Sequence, residues 1–191
     1  FAVDQTFLVS EFEEKAPQLF AEVDKLYFQL FKSKKMDAQI NTVLQRVRGL
    51  RHRGGEGNLP IFDSYPLLGE MRVRKGPEEI ELLRKATEIS AKAHIEMIKA
   101  VRPGINERAL HGQLLKTMME HGAAREGYGS IVASGNSATT LHYVFNDQEC
   151  KDGDLLLVDA GAEYKYYTGD ITRCVPVNGK FSEVQKRLYQ K

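Results

Sequence analysis

Asp154-Leu-Leu-Leu-Val-Asp159-Ala160-Gly161 and, one residue on, Glu163-Tyr-Lys-Tyr-Tyr-Thr-Gly169-Asp170-Ile171-Thr172-Arg173 form the stretch whose reading decides the fold. Two apolar runs flank a short aromatic middle, the pattern of two β-strands joined by a turn. With the turn centred between Tyr164 and Lys165, antiparallel pairing sets Asp159 directly opposite Asp170, their Cβ atoms about 5 Å apart. Like charges so placed destabilise a ladder unless a cation lies between them, and a divalent ion held by oxygen ligands meets that need. Ala160, Gly161 and Gly169 read as small residues that leave room for a metal and a substrate. Either aspartate alone reads better as a turn former or a helix cap. It is the pair at this spacing that turns the reading toward a metal.

Outward from this hairpin the chain stays well patterned. Ser130 to Ala133 is a further short apolar run and predicts a strand, while the second arm of the hairpin extends its apolar run over Ile171 to Val177. Ser182 and Gln185 have capping-box spacing, so a helix begins there, and a domain that stops as a helix starts reads as incomplete. On the N-terminal side, Pro77 followed by Glu78 and Glu79 suits the start of a helix. Leu82, Ala86, Ile89, Ala93, Met97 and Val101 then recur at steps of three and four and make one buried face. Arg102-Pro103-Gly104 stops this helix. Asn106 caps another, with Leu110, Leu114 and Met118 inward and Gly122 past its end.

The first third is less distinct. Phe7 to Val9 reads as a strand end, Glu11 to Glu22 and Lys35 to Arg51 as helices, and Lys25 to Phe31 as a strand. The second helix carries Ile40, Val43, Leu44, Val47 and Leu50 on one stripe. Arg53-Gly54-Gly55-Glu56-Gly57-Asn58 lacks the ending and the preceding strand of a phosphate loop and reads as a flexible break.

Bulk properties exclude several function classes. In 191 residues, 42% hydrophobic and 28% charged, the net charge is +1. That balance gives no electrostatic ground for nucleic acid or a membrane as the main partner. The cluster Arg46, Arg48, Arg51, His52 and Arg53 reads as a solvated helix end. No apolar run approaches the ~20 residues of a membrane span, and no signal-peptide pattern opens the chain. Cys150 and Cys174, without CxxC spacing, fit a reducing cytoplasm better than a disulfide framework or a thiolate metal site. His94, His111 and His121 lie on predicted helices without ligand spacing and read as structural. A first residue Phe1 rather than Met reads as a start inside a longer gene product.

The run Asp159-x-Gly161-x-x-Tyr164-x-x-Tyr167-x-x-Asp170-x-Thr172-Arg173 resembles the first metal-ligand segment of the creatinase-fold, or pita-bread, metallopeptidases. Within them it is most similar to the Xaa-Pro aminopeptidase (aminopeptidase P) branch. Lys75-Gly-Pro77-Glu78-Glu79-Ile80, Arg102-Pro103-Gly104, Ser134-Gly135 with the later His142-Tyr143, and Pro176-Val177-Asn178-Gly179-Lys180-Phe181 extend the resemblance over residues 71 to 191. One departure is Tyr166, where the family often has Gly, which bears on the shape of the turn.

The resemblance implies an α/β chain: a small α/β N-terminal domain, incomplete at its start, over residues 1–70, then the first half of a creatinase-like pita-bread α+β catalytic domain over 71–191. It implies a metalloaminopeptidase that releases an N-terminal residue preceding proline, using a hydroxide that bridges two divalent metals, usually manganese. Asp159 and Asp170 match metal ligands. His142 matches a histidine that faces the substrate and Tyr128 an outer tyrosine that fixes a ligand carboxylate, while Thr172, next to a ligand, is read as a further outer partner. The family's remaining ligands, one His and two Glu, come later in the chain, so residues 1–191 alone are expected to be inactive. A peptide with proline in second position is the implied partner, and a homo-oligomer is compatible. A prolidase or creatinase-type hydrolase, a methionine aminopeptidase, or a non-catalytic binding protein of the same fold are the alternatives. Intact aspartates speak against the last, and the two-part layout against the methionine enzyme.

Overall fold

A computed structural model describes residues 3–190. The backbone divides into two compact units, parting between Arg74 and Lys75. Helix α3 (Ser64–Val73) therefore ends the first unit and runs across the boundary expected at residue 70.

The first unit holds α1 (Phe12–Ala21), β1 (Leu26–Tyr27), α2 (Lys34–Arg53), β2 (Ile61–Phe62) and α3. Strands β1 and β2 pair in parallel, Leu26 opposite Ile61 and Tyr27 opposite Phe62. Its core gathers Ala16, Val43, Val47 and Leu59, with Phe12, Phe20, Leu26 and Leu44 packed against them. Pro17 inside α1 has no N–H, so the Glu13 carbonyl one turn back loses its helical donor. Arg46 supplies a replacement, its Nη1 donating to that carbonyl at 2.8 Å. Arg51 does similar service, donating to the carbonyls of Gly57 at 2.9 Å and Val23 at 2.8 Å. These two arginines are thus anchored to backbone, Arg46 while still exposed to solvent.

Three expectations for this unit need correction. Phe7 to Val9 is no strand: Val9–Glu11 makes a turn of 3-10 helix, and Leu8 and Val9 are exposed. The strand read over Lys25 to Phe31 shrinks to Leu26–Tyr27, because β2 offers only a two-residue partner. Leu50 leaves the α2 stripe and is 41% exposed.

The second unit begins with α4 (Pro77–Ala100). Pro sits at its first turn, and the Glu79 carboxylate accepts from the Gly76 N–H at 2.7 Å, closing one of the helix's free donors. Helix α5 (Glu107–Glu120) is capped by Asn106, whose Oδ1 accepts from the Arg108 N–H at 2.9 Å. It ends at Gly122, in the left-handed region at φ 96°. The sheet comprises β3 (Arg125–Glu126), β4 (Ile131–Ser134), β5 (Leu155–Tyr164) and β6 (Tyr167–Pro176). Helix α6 (Glu183–Tyr189) follows, with Ser182 and Gln185 forming the expected capping box.

All pairing in this sheet is antiparallel and runs through β5. Strand β6 covers one edge along its whole length, while β4 and β3 share the other. Side chains alternate across β5. Leu156, Val158, Ala160 and Ala162 pack with Ile89, Ala93 and Met97 of α4 and Leu110, Leu114 and Met118 of α5 in one buried cluster. Gly169 lets the α4 backbone lie against β6, since a Cβ there would stand 2.5 Å from both N and Cα of Thr87.

Candidate metal centre

The hairpin register differs from the one expected. Tyr164 pairs with Tyr167, so the turn is Lys165-Tyr166, one residue further along than the sequence suggested. Both turn residues are left-handed, at φ 48° and 71°, as a two-residue hairpin turn of the primed type requires. Asp159 consequently faces Thr172 and Asp170 faces Gly161. The aspartates remain on one face of the sheet but stand diagonally, a two-residue step from direct opposition.

Tyr128 bridges that diagonal. Its hydroxyl lies 2.6 Å from Asp159 Oδ1 and 2.9 Å from Asp170 Oδ1. Sheet geometry puts it there. Glu126 is opposite Ala162 and Ile131 is opposite Asp159, so residues 127–130 on this edge face only 160–161 on β5. The surplus bulges out, a device that re-aims side chains. Gly161 then leaves space for the ring: a Cβ there would meet Tyr128 Cε1 at 3.1 Å and the Gly169 carbonyl oxygen at 2.9 Å.

The role expected of the small residues is therefore corrected. Gly161 accommodates Tyr128, Gly169 accommodates α4, and Ala160 is buried in the core, so none of the three is spare room for a metal or substrate.

Electrostatics at the site are dominated by the two carboxylates. Asp159 is half-buried and Asp170 exposed. Burial first, and then the two carboxylates beside it, push the Tyr128 phenol far above its usual range, so it stays a protonated donor. It has one proton for two acceptor-only groups with about four lone-pair sites each. The nearby Arg173 does not neutralise them through a hydrogen bond; its Nη1 donates to the Thr172 carbonyl at 2.8 Å. Two hard oxygen donors with a surplus of lone pairs fit a divalent cation such as manganese, calcium or magnesium. Among the described residues, no group of three or more His, Cys, Asp or Glu is placed to hold a metal.

Thr172 is exposed and lies across the ladder from Asp159. His142 is exposed, in the left-handed region at φ 53°. Among the described residues no hydrogen bond joins it to Asp159, Asp170 or Tyr128. The three helix histidines have structural partners: His94 and His121 bond to carbonyls one turn back, of Ser90 and Thr117, each at 2.9 Å. His111 Nε2 meets Glu126 Oε2 at 3.0 Å.

Two arrangements behind the site escaped the sequence reading. Asn146 accepts from the Val132 N–H at 2.8 Å and donates to the Ser130 carbonyl at 2.9 Å, tying the following loop to β4. Glu107 is wholly buried and gathers donors from Ser134, Tyr143 and Gln148. The only local signal for Glu107 is an acidic residue in a helix's first turn, which ordinarily stays in solvent.

Residues 81–191 match the model of metallopeptidase family M24. The chain belongs to that family. Among M24-related proteins, the Xaa-Pro aminopeptidase of Escherichia coli K12 is 40% identical over 191 residues, covering 98% of this chain and 42% of that protein. The Haemophilus influenzae Xaa-Pro aminopeptidase is 45% identical over 130 residues, covering 68% of this chain and 30% of that protein. A solved structure of an Escherichia coli aminopeptidase P variant in complex with substrate superposes with a TM-score of 0.91 at 39% identity, covering 98% of this chain and 43% of that one. The zinc-substituted Escherichia coli enzyme in complex with product gives 0.92 at 39% identity, covering 100% of this chain and 43% of that one. The M24 chain described here thus spans less than half the length of these relatives. The expected α/β fold of aminopeptidase P is the fold observed. No helix among the described residues is long and apolar enough to cross a membrane.

Proposed function

We propose that this chain is part of a metal-dependent Xaa-Pro aminopeptidase, with the unit that ends at Arg74 its N-terminal domain and the unit that begins at Lys75 the first part of its catalytic domain. The observation that carries the reading is the diagonal Asp159–Asp170 pair sharing one Tyr128 hydroxyl. The 40% identity to a named Xaa-Pro aminopeptidase supports it. Asp159 and Asp170 would supply two of the ligands to a pair of divalent ions, manganese in our reading. When bound, these supply a Lewis acid for the scissile carbonyl and a water acidic enough at neutral pH to attack it.

The rest is done by side chains of this chain. Tyr128 fixes the orientation of both carboxylates through its single proton, and Thr172 flanks Asp159 from across the ladder. His142 stabilises the oxygen on which charge develops and helps to position the peptide. Substrates are peptides with proline in second position, and the two free cysteines suit a cytoplasmic setting.

The test is release of the first residue from a Xaa-Pro peptide by the full-length protein, against a matched Xaa-Ala peptide, after chelation and after return of manganese or zinc. The expected result is Xaa-Pro turnover that chelation abolishes and manganese restores. Turnover indifferent to chelation, or faster on Xaa-Ala, overturns the proposal.

A further inference from the structure

The loop bearing His142 begins and ends on one buried carboxylate. Glu107, 0% exposed, has no cation beside it among the described ion pairs and is satisfied by hydrogen bonds alone. At the exit of β4, the Ser134 N–H and hydroxyl both donate to its Oε1 at 2.7 Å. At the far end, the Gln148 N–H donates to Oε2 at 3.0 Å. Between them the Tyr143 hydroxyl reaches the same Oε2 at 2.9 Å, closer than its other acceptor, Asp147 Oδ1, at 3.2 Å.

One backbone bond and one side-chain bond reinforce this point of closure. The Glu107 N–H donates to the Gln148 carbonyl at 2.9 Å, and Asn106 Nδ2 to the Asp147 carbonyl at 2.9 Å. The result is a compact loop with both ends pinned, the form in which a surface segment holds a side chain in place. His142 is exposed, but its neighbour Tyr143 is buried and tethered. A non-glycine residue in the left-handed region is strained and persists there only where its surroundings hold it, and the Tyr143 tether supplies that restraint next door.

We propose that Glu107 is a positioning residue: its carboxylate clamps the ends of the 135–147 loop and the Tyr143 hydroxyl, and so holds His142 where the peptide reacts. This rests on the role given to His142 above. A carboxylate is needed because four donors converge on it. Glutamine would replace one acceptor oxygen by an NH2 that faces a backbone N–H, of Ser134 or of Gln148, which cannot accept from it.

A double-mutant cycle in the full-length, metal-loaded protein tests the proposal, reading kcat, KM and metal content with a Xaa-Pro peptide. Glu107→Gln is expected to lower kcat about tenfold with metal content unchanged. Tyr143→Phe removes the hydroxyl nearest His142, with its bonds to Glu107 and Asp147, and leaves the Ser134 and Gln148 bonds in place; it is expected to cost about threefold and serves where Glu107→Gln fails to fold. His142→Ala alone is expected to cost about 100-fold. In that background neither further substitution lowers kcat again, because the group they place is gone. Full additivity there, or unchanged kcat in the single variants, shows that the clamp does not act through His142 and overturns the inference alone. Wild-type kcat in His142→Ala defeats the catalytic role of His142, and the inference falls with it.

Discussion

The two faces of strand β5 are one residue apart along the chain and opposite in physical character. Leu156, Val158, Ala160 and Ala162 face α4 and α5 and are fully buried. Leu157, Asp159, Gly161 and Glu163 take the other face, where two acids and a glycine interrupt the apolar alternation. Burial on the first face stabilises by about 25 cal/mol per Å2 of apolar surface, whereas paired like charges on the second cost stability. The acidic face of this hairpin is thus held in place by an apolar face that touches none of its charges.

Substitutions on the two faces should therefore separate activity from stability. Asp170→Ala is expected to lower turnover on the order of 10³-fold, the cost of losing a principal electrostatic element. Denaturant unfolding of the metal-free protein should show equal or slightly greater stability, since a like-charged neighbour is gone. A matching loss of stability would break the comparison. Gly169→Ala acts on the helix-packed face, where its Cβ would stand 2.5 Å from the Thr87 backbone. It should cost about 3 kcal/mol in the same unfolding measurement, because main chain rather than a flexible side chain must move.

Tyr128→Phe keeps the ring over Gly161 and removes only the shared proton. A loss of about 10–100-fold in metal affinity or activity is expected, with stability changed by less than about 1 kcal/mol. The smallest effect belongs to Glu126, beside the bulge. Burial raises its carboxyl, but the bonds from Ser130 and His111 outweigh burial and hold it below the usual range. Because its folded value is depressed, its stabilising contribution is complete above the unfolded carboxyl range and disappears as pH falls through the folded value. Ser130→Ala should shrink that contribution by less than about 1 kcal/mol at pH 7, visible as a shallower loss of stability between about pH 5 and pH 3.

What could be read in advance follows the range of the interactions concerned. Helices α4 and α5 announced themselves because their starts and inward stripes are local: Pro77, Asn106, and Ala86, Ile89, Ala93 and Met97 at helical spacing. Helix α3 stayed hidden, since Pro66 and Gly69 read as helix breakers although the helix runs through both, and it buries no residue. The hairpin was legible, its register was not. Lys165 and Tyr166 adopt left-handed angles without the Asn or Gly that would mark a turn there. Asp159, Asp170 and Tyr128 were picked out in advance, and the structure brings these three together. The bulge that lifts Tyr128 depends on how β3 and β4 each pair with β5, and Glu107 finds its partners 27 to 41 residues away. No local pattern encodes either.

The diagonal placement of the aspartates also bears on how faithfully the hairpin folds. Its turn offers weak guidance, since two left-handed non-glycine residues cost roughly 1–2 kcal/mol each. A slip of β6 by one residue would turn Asp170 into the apolar layer beneath α4, where an unpaired charge costs several kcal/mol. A slip by two, toward Asp159, would set the acids face to face and take Asp170 away from its place across from Gly161. Both neighbouring registers are penalised by these carboxylates, so the residues proposed as metal ligands also proofread the strand pairing that presents them.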